Sequence, residues 1–187
     1  MQIVVGAYGW QHEQWEKTFY PEDIPPDWRL NYYANEFEAV LVPFRIWSTS
    51  DNSELKKWMG DLPENFQLFF EASAGHEDQA ANKVLLDGLL LYPPVIFSPA
   101  KYNETSVQFG MQEALLEGSR FGQSDAVLLR IFAADVINPE QIRQIIERVQ
   151  EGYSKYETIY LFFDQTLADM SILSTASIIV DLLNTHD

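Results

Sequence analysis

Residues Val5 to Pro21 read V-G-A-Y-G-W-Q-H-E-Q-W-E-K-T-F-Y-P. A short apolar strand, Ile3–Ala7, leads into this stretch, and Gly9 and Pro21 bound a loop rich in aromatic side chains. Aromatic side chains of this size need a surface to pack against or a ligand to hold. Loops at strand ends also carry binding residues more often than other segments do. The stretch therefore predicts a strand end that is a packing centre or part of a binding site.

The aromatic loop carries a spaced set of glycines and aromatic residues. This set is Gly6-x-x-Gly9-Trp10, then Trp15, then Phe19-Tyr20-Pro21. It resembles the opening of the YecE-like proteins, a large family of unknown function whose members look like variants of the TIM barrel. The likeness continues through Leu30-Asn-Tyr-Tyr-Ala34, Phe37-Glu-Ala-Val40, Trp58, Leu62-Pro-Glu-Asn-Phe66, Leu128-Leu-Arg130 and Tyr160-Leu-Phe-Phe-Asp164. The resemblance implies a fold derived from the TIM barrel.

The polar positions of the family pattern are the ones that differ in this chain. Family members place a Glu, an Asn and a T-F-Y run after the second strand, a Lys after the third, an Arg-x-His-Gly run and a late pair of Asn. The corresponding positions here are Leu41, Pro43, Arg45-Ile46-Trp47, Glu71, Arg130-Ile-Phe-Ala133 and Asp164-Gln165. The resemblance thus implies a shortened, divergent member of the family that keeps the scaffold but has different residues at the polar site.

Apolar runs of strand length recur at intervals of about thirty residues, the size of a strand-plus-helix unit. The runs are Ile3–Ala7, Ala39–Pro43, Phe66–Ala72, Val95–Ser98, Val127–Phe132 and Ile159–Phe163. Each is nearly continuous in apolar residues, as is typical of parallel strands covered on both faces. The pattern predicts six parallel strands.

Helical signals lie between these runs. Asn138-Pro139-Glu140-Gln141 is the best helix start, with an N-cap Asn, a Pro at the first helical position and a Gln at the third. An apolar stripe follows it at helical spacing. The other predicted helices begin at Asp51-Asn-Ser-Glu54, span Asp78 to Leu91, and span Met170 to Leu183, the last packing over the final strand.

Strands that alternate with helices predict an α/β fold with a parallel sheet. A TIM barrel usually takes about 250 residues and eight units, whereas this chain has 187 residues and six clear units. We expect one domain, residues 1–187, that forms a parallel β/α barrel with reduced or missing units. The segment Lys101 to Gly122 is where the lost pieces are expected. An open parallel α/β sheet is the alternative.

The composition excludes several classes of function. The net charge of −16, from 12 basic and 28 acidic side chains, argues against nucleic acid and anionic membrane surfaces as partners. No apolar run is long enough for a transmembrane helix. The absence of Cys removes thiol chemistry and fits the cytoplasm, where we expect the protein. The acidic excess is interpreted as a solubilising surface, and a cationic substrate or partner is the alternative interpretation.

Working residues of such barrels lie at the carboxyl ends of the strands. Aromatic walls and a few charges at these ends predict a mouth that binds a small molecule. The indoles of Trp10 and Trp47 would either stack on a ligand or fill the top of the barrel, and the sequence supports these two interpretations equally. The positions selected are Tyr8, Trp10, Arg45, Trp47, Glu71, Ser73, His76, Ser98, Lys101, Tyr102, Arg130, Asp164 and Gln165.

Among the charged positions, the candidate catalytic residues are Glu71, Asp164 and Arg130. The two carboxylates would act as an acid/base pair or bind a divalent metal. The favoured interpretation is instead a structural ion pair with Arg130, because a charge inside an apolar strand is paired when it is buried. No spacing motif links His12 or His76 to these carboxylates, so both are expected to be solvated loop residues. No metal site is predicted, and no cofactor is indicated.

Two functions follow. The first is a small-molecule site at the mouth with Tyr8, Trp10, Trp47, His76 and Arg130 as ligand-binding residues, with residual hydrolase- or lyase-type chemistry as an extension. It predicts an open pocket between Trp10, Trp47 and Arg130. The second is a non-catalytic protein-interaction or self-association module, which would form a homo-oligomer. It predicts a filled mouth and an apolar flank near residues 101–122.

Overall fold

The computed structural model describes residues 1–60, 62–72, 95, 101–102, 109–115, 126–133, 136–164 and 169–184. In these ranges the chain forms strands β1 (Gln2–Tyr8), β2 (Ala39–Val42), β3 (Gln67–Phe70), β4 (Lys101–Tyr102), β5 (Phe109–Leu115), β6 (Ala126–Ala133) and β7 (Thr158–Phe163). The helices there are α1 (Arg29–Ala34), α2 (Phe44–Trp47), α3 (Asn52–Gly60), α4 (Pro139–Gly152) and α5 (Met170–Asn184). Short 3-10 helices lie at Glu13–Trp15 and Pro26–Trp28.

The strands form one sheet in the order β3-β2-β1-β7-β6-β5-β4. Neighbours from β3 to β6 are parallel, whereas β5 is antiparallel to β6, and β4 to β5. This mixed, mostly parallel sheet curls into a half-barrel with helices. The predicted α/β class is confirmed.

The expectation that every strand is parallel is wrong for β5. This strand lies in the segment where missing barrel units were expected, and only residues 103–108 separate it from β4 and residues 116–125 from β6. A parallel connection needs a crossover of about a dozen residues or more. Connections this short leave antiparallel pairing as the geometry that they can reach.

The apolar strands are buried on both faces, as their continuous patterns predicted. Ile3, Val5 and Ala7 of β1 pack in the large cluster under the helices, here called the helix-side core. The alternate residue Val4 packs on the opposite side with Leu41, Phe69 and other residues of the central strands; this side is here called the inner face. Because successive side chains of a strand point to opposite faces, the two clusters divide the strands residue by residue.

Helix α4 begins as its sequence predicted. The Asn138 side chain accepts a hydrogen bond from the Gln141 backbone N–H, and the Gln141 side chain accepts one from the Asn138 N–H, which completes a capping box. The predicted stripe on this helix is buried in the helix-side core. Helix α5 also forms as expected, but its principal contacts are with α4 and β1 rather than with the final strand, over which it was expected to pack. Among the described helices, none is long and apolar enough to cross a membrane.

The region after β3 is described only in part. Val95, the first residue of the predicted fourth strand, forms an isolated parallel bridge with Glu71 and is buried. The rest of that predicted strand, residues 96–98, and the predicted helix at 78–91 lie outside the described residues. The observed part of this region therefore continues the parallel pairing beyond β3 by one residue pair.

Tyr33 on α1 is inserted between β1 and β2. Its hydroxyl accepts a hydrogen bond from the Ala7 N–H at 2.9 Å and donates one to the Ala39 carbonyl at 2.9 Å. The hydroxyl thus bridges two backbone groups of neighbouring strands, and the side chain is fully buried. The two strands also approach each other so closely here that a Cβ at Gly6 would collide with the Ala39 carbonyl oxygen. The first glycine of the sequence motif is explained by this contact.

Replacing Tyr33 with phenylalanine should destabilise the fold by about 1–3 kcal/mol, because two buried backbone groups lose their partner. Urea unfolding measures the change. Tyr32→Phe is the matched control, since Tyr32 is only partly buried, and it should stay within about 0.5 kcal/mol of the wild type. Equal effects of the two substitutions would contradict the bridging role of the Tyr33 hydroxyl.

Candidate functional site

Four polar side chains lie at the carboxyl ends of the parallel strands. They are Tyr8 at the end of β1, Glu71 after β3, Arg130 in β6 and Asp164 after β7. They continue the alternation of the inner-face residues of their strands, so they lie above the apolar inner cluster. We call these four residues the polar layer. The elements of the sheet bring together residues that are up to 156 positions apart in sequence, from 8 to 164.

Arg130 is the centre of the polar layer. Its Nε and one terminal nitrogen donate to Asp164 Oδ2 at 2.8 and 2.5 Å, and the other terminal nitrogen donates to Glu71 Oε1 at 2.8 Å. The guanidinium carbon lies 3.9 Å from the centroid of the Tyr8 ring, within the range of a cation–π interaction. The predicted pairing of Arg130 with the carboxylates is present, and it involves both of them.

Glu71 is held from several directions. Its Oε2 accepts hydrogen bonds from the Tyr8 hydroxyl at 2.5 Å and from the Phe44 backbone N–H at 3.1 Å. Its backbone carbonyl accepts one from the Trp47 indole N–H at 2.9 Å. With the bond from Arg130, the carboxylate has three donors. Glu71 is therefore positioned by contacts from β1, α2 and β6.

The electrostatics of the polar layer follow from burial and from these contacts. Burial by itself lowers the pKa of Arg130, but the carboxylates of Asp164 and Glu71 outweigh it, and the pKa is raised. Burial, followed by the hydrogen bond to Glu71, raises the pKa of Tyr8. Arg130 is thus a fixed cation and Tyr8 a neutral hydrogen-bond donor. The Arg130, Glu71 and Asp164 side chains are 17, 16 and 18% exposed, so the cluster reaches solvent.

Trp10 and Trp47 do not line a mouth beside Arg130. Both are buried in the helix-side core, whereas Arg130 follows the inner-face alternation of β6. The Trp10 ring meets Trp58 edge-on at 5.0 Å, and the Trp47 ring meets Phe70 at 5.7 Å. The pocket expected between Trp10, Trp47 and Arg130 is therefore not framed by these three residues, because the indoles pack under the helices.

The other aromatic residues of the opening loop also build the core. Trp15 is fully buried and stacks on Tyr33 with ring centroids 5.8 Å apart and an interplanar angle of 4°. The Tyr20 hydroxyl donates to the Trp10 carbonyl at 2.6 Å. Gly9 has a φ of 84°, a conformation that glycine adopts without strain. The spaced motif therefore folds the loop onto α1, and its aromatic side chains serve packing.

His12 was expected to be solvated, and this expectation is wrong. The side chain is buried because its ring packs on Trp15, with centroids 4.4 Å apart, and its Nε2 lies 3.2 Å from the Gly9 carbonyl oxygen. Burial lowers the pKa of His12 from its ordinary value of 6.5. The nearby charge of Asp164 acts against this shift and that of Arg45 acts with it.

This burial predicts a stability that falls as the solution becomes acidic. The unfolded chain protonates His12 near pH 6.5, whereas the folded chain resists protonation, so the stability contributed by the neutral ring is lost as the pH falls below that value. Urea unfolding of wild type and His12→Gln between pH 8 and 5 measures the effect. We expect the difference in unfolding free energy between the two proteins to shrink toward pH 5. Parallel pH profiles would contradict the buried, neutral state of His12.

Several predicted site positions are not part of the observed cluster. His76, Ser73, Ser98 and Gln165 lie outside the described residues, and of Lys101 and Tyr102 only the strand that they form, β4, is described. Arg45 is exposed on α2. In the described ranges no group of three or more His, Asp or Glu side chains is arranged to hold a metal ion.

One residue beside the polar layer was missed by the sequence analysis. Gln112 of β5 is directly opposite Arg130 of β6, and it is half-buried. The neighbouring position on the same side of β5 is Ala114, which packs on the inner face. No sequence signal selected Gln112, because β5 itself was not predicted.

The comparisons with known proteins agree with the resemblance seen in the sequence. Residues 4–77 match the model of a family described as a protein of unknown function, DUF72; DUF72 is the YecE-like family, so the resemblance is confirmed. A crystal structure of a DUF72 family protein from Thermotoga maritima MSB8 is similar with a TM-score of 0.63 at 11% identity, covering 100% of this chain and 99% of that one. At this identity the likeness shows the fold. Among curated proteins, none matches the chain.

Proposed function

We propose that this chain, which carries the DUF72 pattern in residues 4–77, binds a small polar molecule at the carboxyl ends of its parallel strands, over the polar layer. The observation that carries the proposal is the convergence of Tyr8, Glu71, Arg130 and Asp164 from four strand ends onto one partly exposed cluster. Ligand sites of α/β sheets lie at this end of the strands. Tyr8 and Arg130 are kept as ligand-binding residues in this proposal.

Binding is proposed without chemistry. Both carboxylates that were suspected of acid/base catalysis are engaged with Arg130, and Glu71 accepts two further hydrogen bonds from Tyr8 and Phe44. A general base must be within hydrogen-bond reach of the proton that it abstracts, and these oxygens are already directed at protein donors. The arrangement therefore supports a rigid binding surface better than a hydrolase or lyase centre.

A thermal-shift panel of sugars, polyols, nucleotides, amines, organic acids and metal ions tests the proposal. A ligand at about one hundred times its dissociation constant stabilises a protein by about 2.7 kcal/mol, which corresponds to roughly 5–10 °C for a chain of this size. Arg130→Lys keeps the charge but loses the forked geometry of the guanidinium, so it should reduce the shift. Arg143→Lys is the control, because Arg143 pairs with Glu147 on the exposed surface of α4.

If no compound shifts the melting temperature of the wild type, or if Arg130→Lys leaves a ligand-induced shift unchanged, binding at the polar layer is contradicted. The thermal shift is read as a difference between each variant with and without ligand. Any loss of stability caused by the substitution itself therefore cancels.

A second candidate is self-association, favoured by one observation. Ile178 and Leu182 lie one turn apart on α5 and are 59 and 58% exposed. Adjacent exposed apolar side chains extend an apolar patch, and large patches of this kind mark interaction surfaces. Light scattering after size exclusion tests this candidate. A dimeric mass that becomes monomeric in Ile178→Ser/Leu182→Ser would support it, and a monomeric wild type would remove it.

A further inference from the structure

We infer that Gln112 contacts the ligand of this site and that, with Arg130, it selects neutral polyhydroxylated molecules of the carbohydrate class. This inference rests on the proposed function and adds to it a ligand class and a specificity-determining residue. It starts from the position of Gln112, which pairs with Arg130 in the antiparallel register of β5 and β6. Directly opposite residues of antiparallel strands have Cβ atoms about 4.5–5.5 Å apart.

The side of β5 on which Gln112 lies is settled by its neighbours. Ala114 packs into the inner-face cluster, and residues two apart on a strand share a face. Glu113, between them, is on the opposite side, where its carboxylate accepts a hydrogen bond from the Tyr153 hydroxyl at 2.7 Å. Gln112 therefore shares the face of Arg130, at the edge of the polar layer next to β5.

The Gln112 amide is available to a ligand. Its side chain makes no hydrogen bond to the described part of the chain, and its polar atoms are not among the buried unpaired atoms there, which belong to Arg29 and Arg148. A half-buried amide that is neither paired nor shut off from solvent keeps two donors and one acceptor for another molecule. Placed beside the charged cluster, it supplies both kinds of group at one point.

Arg130 adds donors to this point. A guanidinium has five N–H groups, and three of its donor bonds go to Asp164 and Glu71. Two N–H groups are therefore not used within the described contacts. Together, Arg130 and Gln112 present a row of donors with one amide acceptor across the β5–β6 pair.

Charge decides which molecules fit this row. In the cluster, one guanidinium is in contact with two carboxylates, so an anion drawn to Arg130 would also approach Glu71 and Asp164, which repel it. A cation would face the guanidinium and the remaining N–H donors. A neutral hydroxyl accepts from a donor and donates to an acceptor without either penalty, and several adjacent hydroxyls match several adjacent groups.

The experiment uses the full chain with three sets of probes. These are the neutral polyols xylitol, glucose and inositol, the cations choline and spermidine, and the anions malate and citrate. We expect thermal shifts with at least one polyol and with none of the charged probes. In Gln112→Leu the affinity for that polyol should fall about five- to tenfold, the worth of one or two hydrogen bonds.

Gln67→Leu is the matched control, because Gln67 begins β3 at the opposite end of the sheet, where its side chain donates a hydrogen bond to the Asn65 carbonyl. It should leave the polyol affinity unchanged. Gln112→Glu is the second variant, since it keeps the shape of the side chain and adds a negative charge. It should weaken the polyol and admit choline or spermidine.

The outcomes separate this inference from the proposed function. A polyol that binds wild type and Gln112→Leu equally, but loses affinity in Arg130→Lys, would overturn the role of Gln112 and leave the site in place. A shift with malate, citrate, choline or spermidine that depends on Arg130 would overturn the ligand class. The absence of a thermal shift with every probe would contradict both the proposed function and this inference.

Discussion

Replacing Arg130 with leucine should destabilise the folded chain by about 3–5 kcal/mol, measured by urea or guanidinium unfolding. The reason is the charge that the substitution leaves behind. Arg130 is in contact with Glu71 and Asp164, and removing one partner of a largely buried ion pair leaves the other uncompensated. Here two carboxylates would remain on one inner face without their shared cation.

A second arginine, on the exposed surface of α4, shows whether burial is the cause of this loss. Arg143→Leu is the control, since the Arg143–Glu147 pair is largely exposed and such pairs contribute little to stability. A loss for Arg130→Leu no larger than the loss for Arg143→Leu would mean that the ion pairs of the polar layer do not stabilise the fold.

Replacing Trp15 with alanine should cost about 3–5 kcal/mol, the range found for large aromatic residues in cores. Trp15 is fully buried and has ring contacts with Tyr33, Phe19, Tyr20 and His12. Its removal leaves a cavity at the point where the opening loop meets α1. Denaturant unfolding monitored by circular dichroism measures the change.

Trp28→Ala is the matched control for this substitution. Trp28 is 67% exposed, and exposed positions usually change stability by no more than about 0.5 kcal/mol. A small effect of Trp15→Ala, or effects of equal size for the two tryptophans, would contradict the view that the aromatic motif is a packing device.

The parts of the fold that could be predicted are those in which local pattern and tertiary packing agree. The continuous apolar runs at Ile3–Ala7, Val127–Phe132 and Ile159–Phe163 became central strands because both of their faces are covered. The capping box at Asn138 fixed the start of α4, since the two hydrogen bonds that define it involve only Asn138 and Gln141. Arg130 was expected to be paired, because a charge within such a strand cannot be buried alone.

The rest depends on contacts between distant residues, which a pattern does not contain. The apolar character of Trp10 and Trp47 is equally consistent with a stacking wall and with a core, and only the packing of the loop on the helix-side core distinguishes the two. Strand β5 carries Gly110, Gln112 and Glu113, which weakens its strand pattern. Its pairing with β6 was therefore invisible in the sequence, and so was the place of Gln112 beside Arg130.

A division of labour within the chain follows from these observations. The spaced glycines and aromatic residues that carry the family resemblance hold β1, the opening loop and α1 together. The polar groups at the strand ends are a separate set, held by one another and by α2. Positions at which this chain departs from the family pattern, among them Glu71 and Asp164, belong to the second set. We therefore expect ligand specificity to vary at the polar layer while the aromatic motif preserves the fold.

The most direct test of this account is a nuclear magnetic resonance titration that follows side-chain N–H signals during addition of the polyol that gives the largest thermal shift. The account predicts that the Arg130 Nε–H and the Gln112 amide signals move with a common dissociation constant. The indole signals of Trp10 and Trp15 should stay in place, because these rings are buried in the helix-side core. Movement of those indole signals with the Arg130 signal unchanged would show that the aromatic loop, not the polar layer, binds the ligand, and would contradict the account.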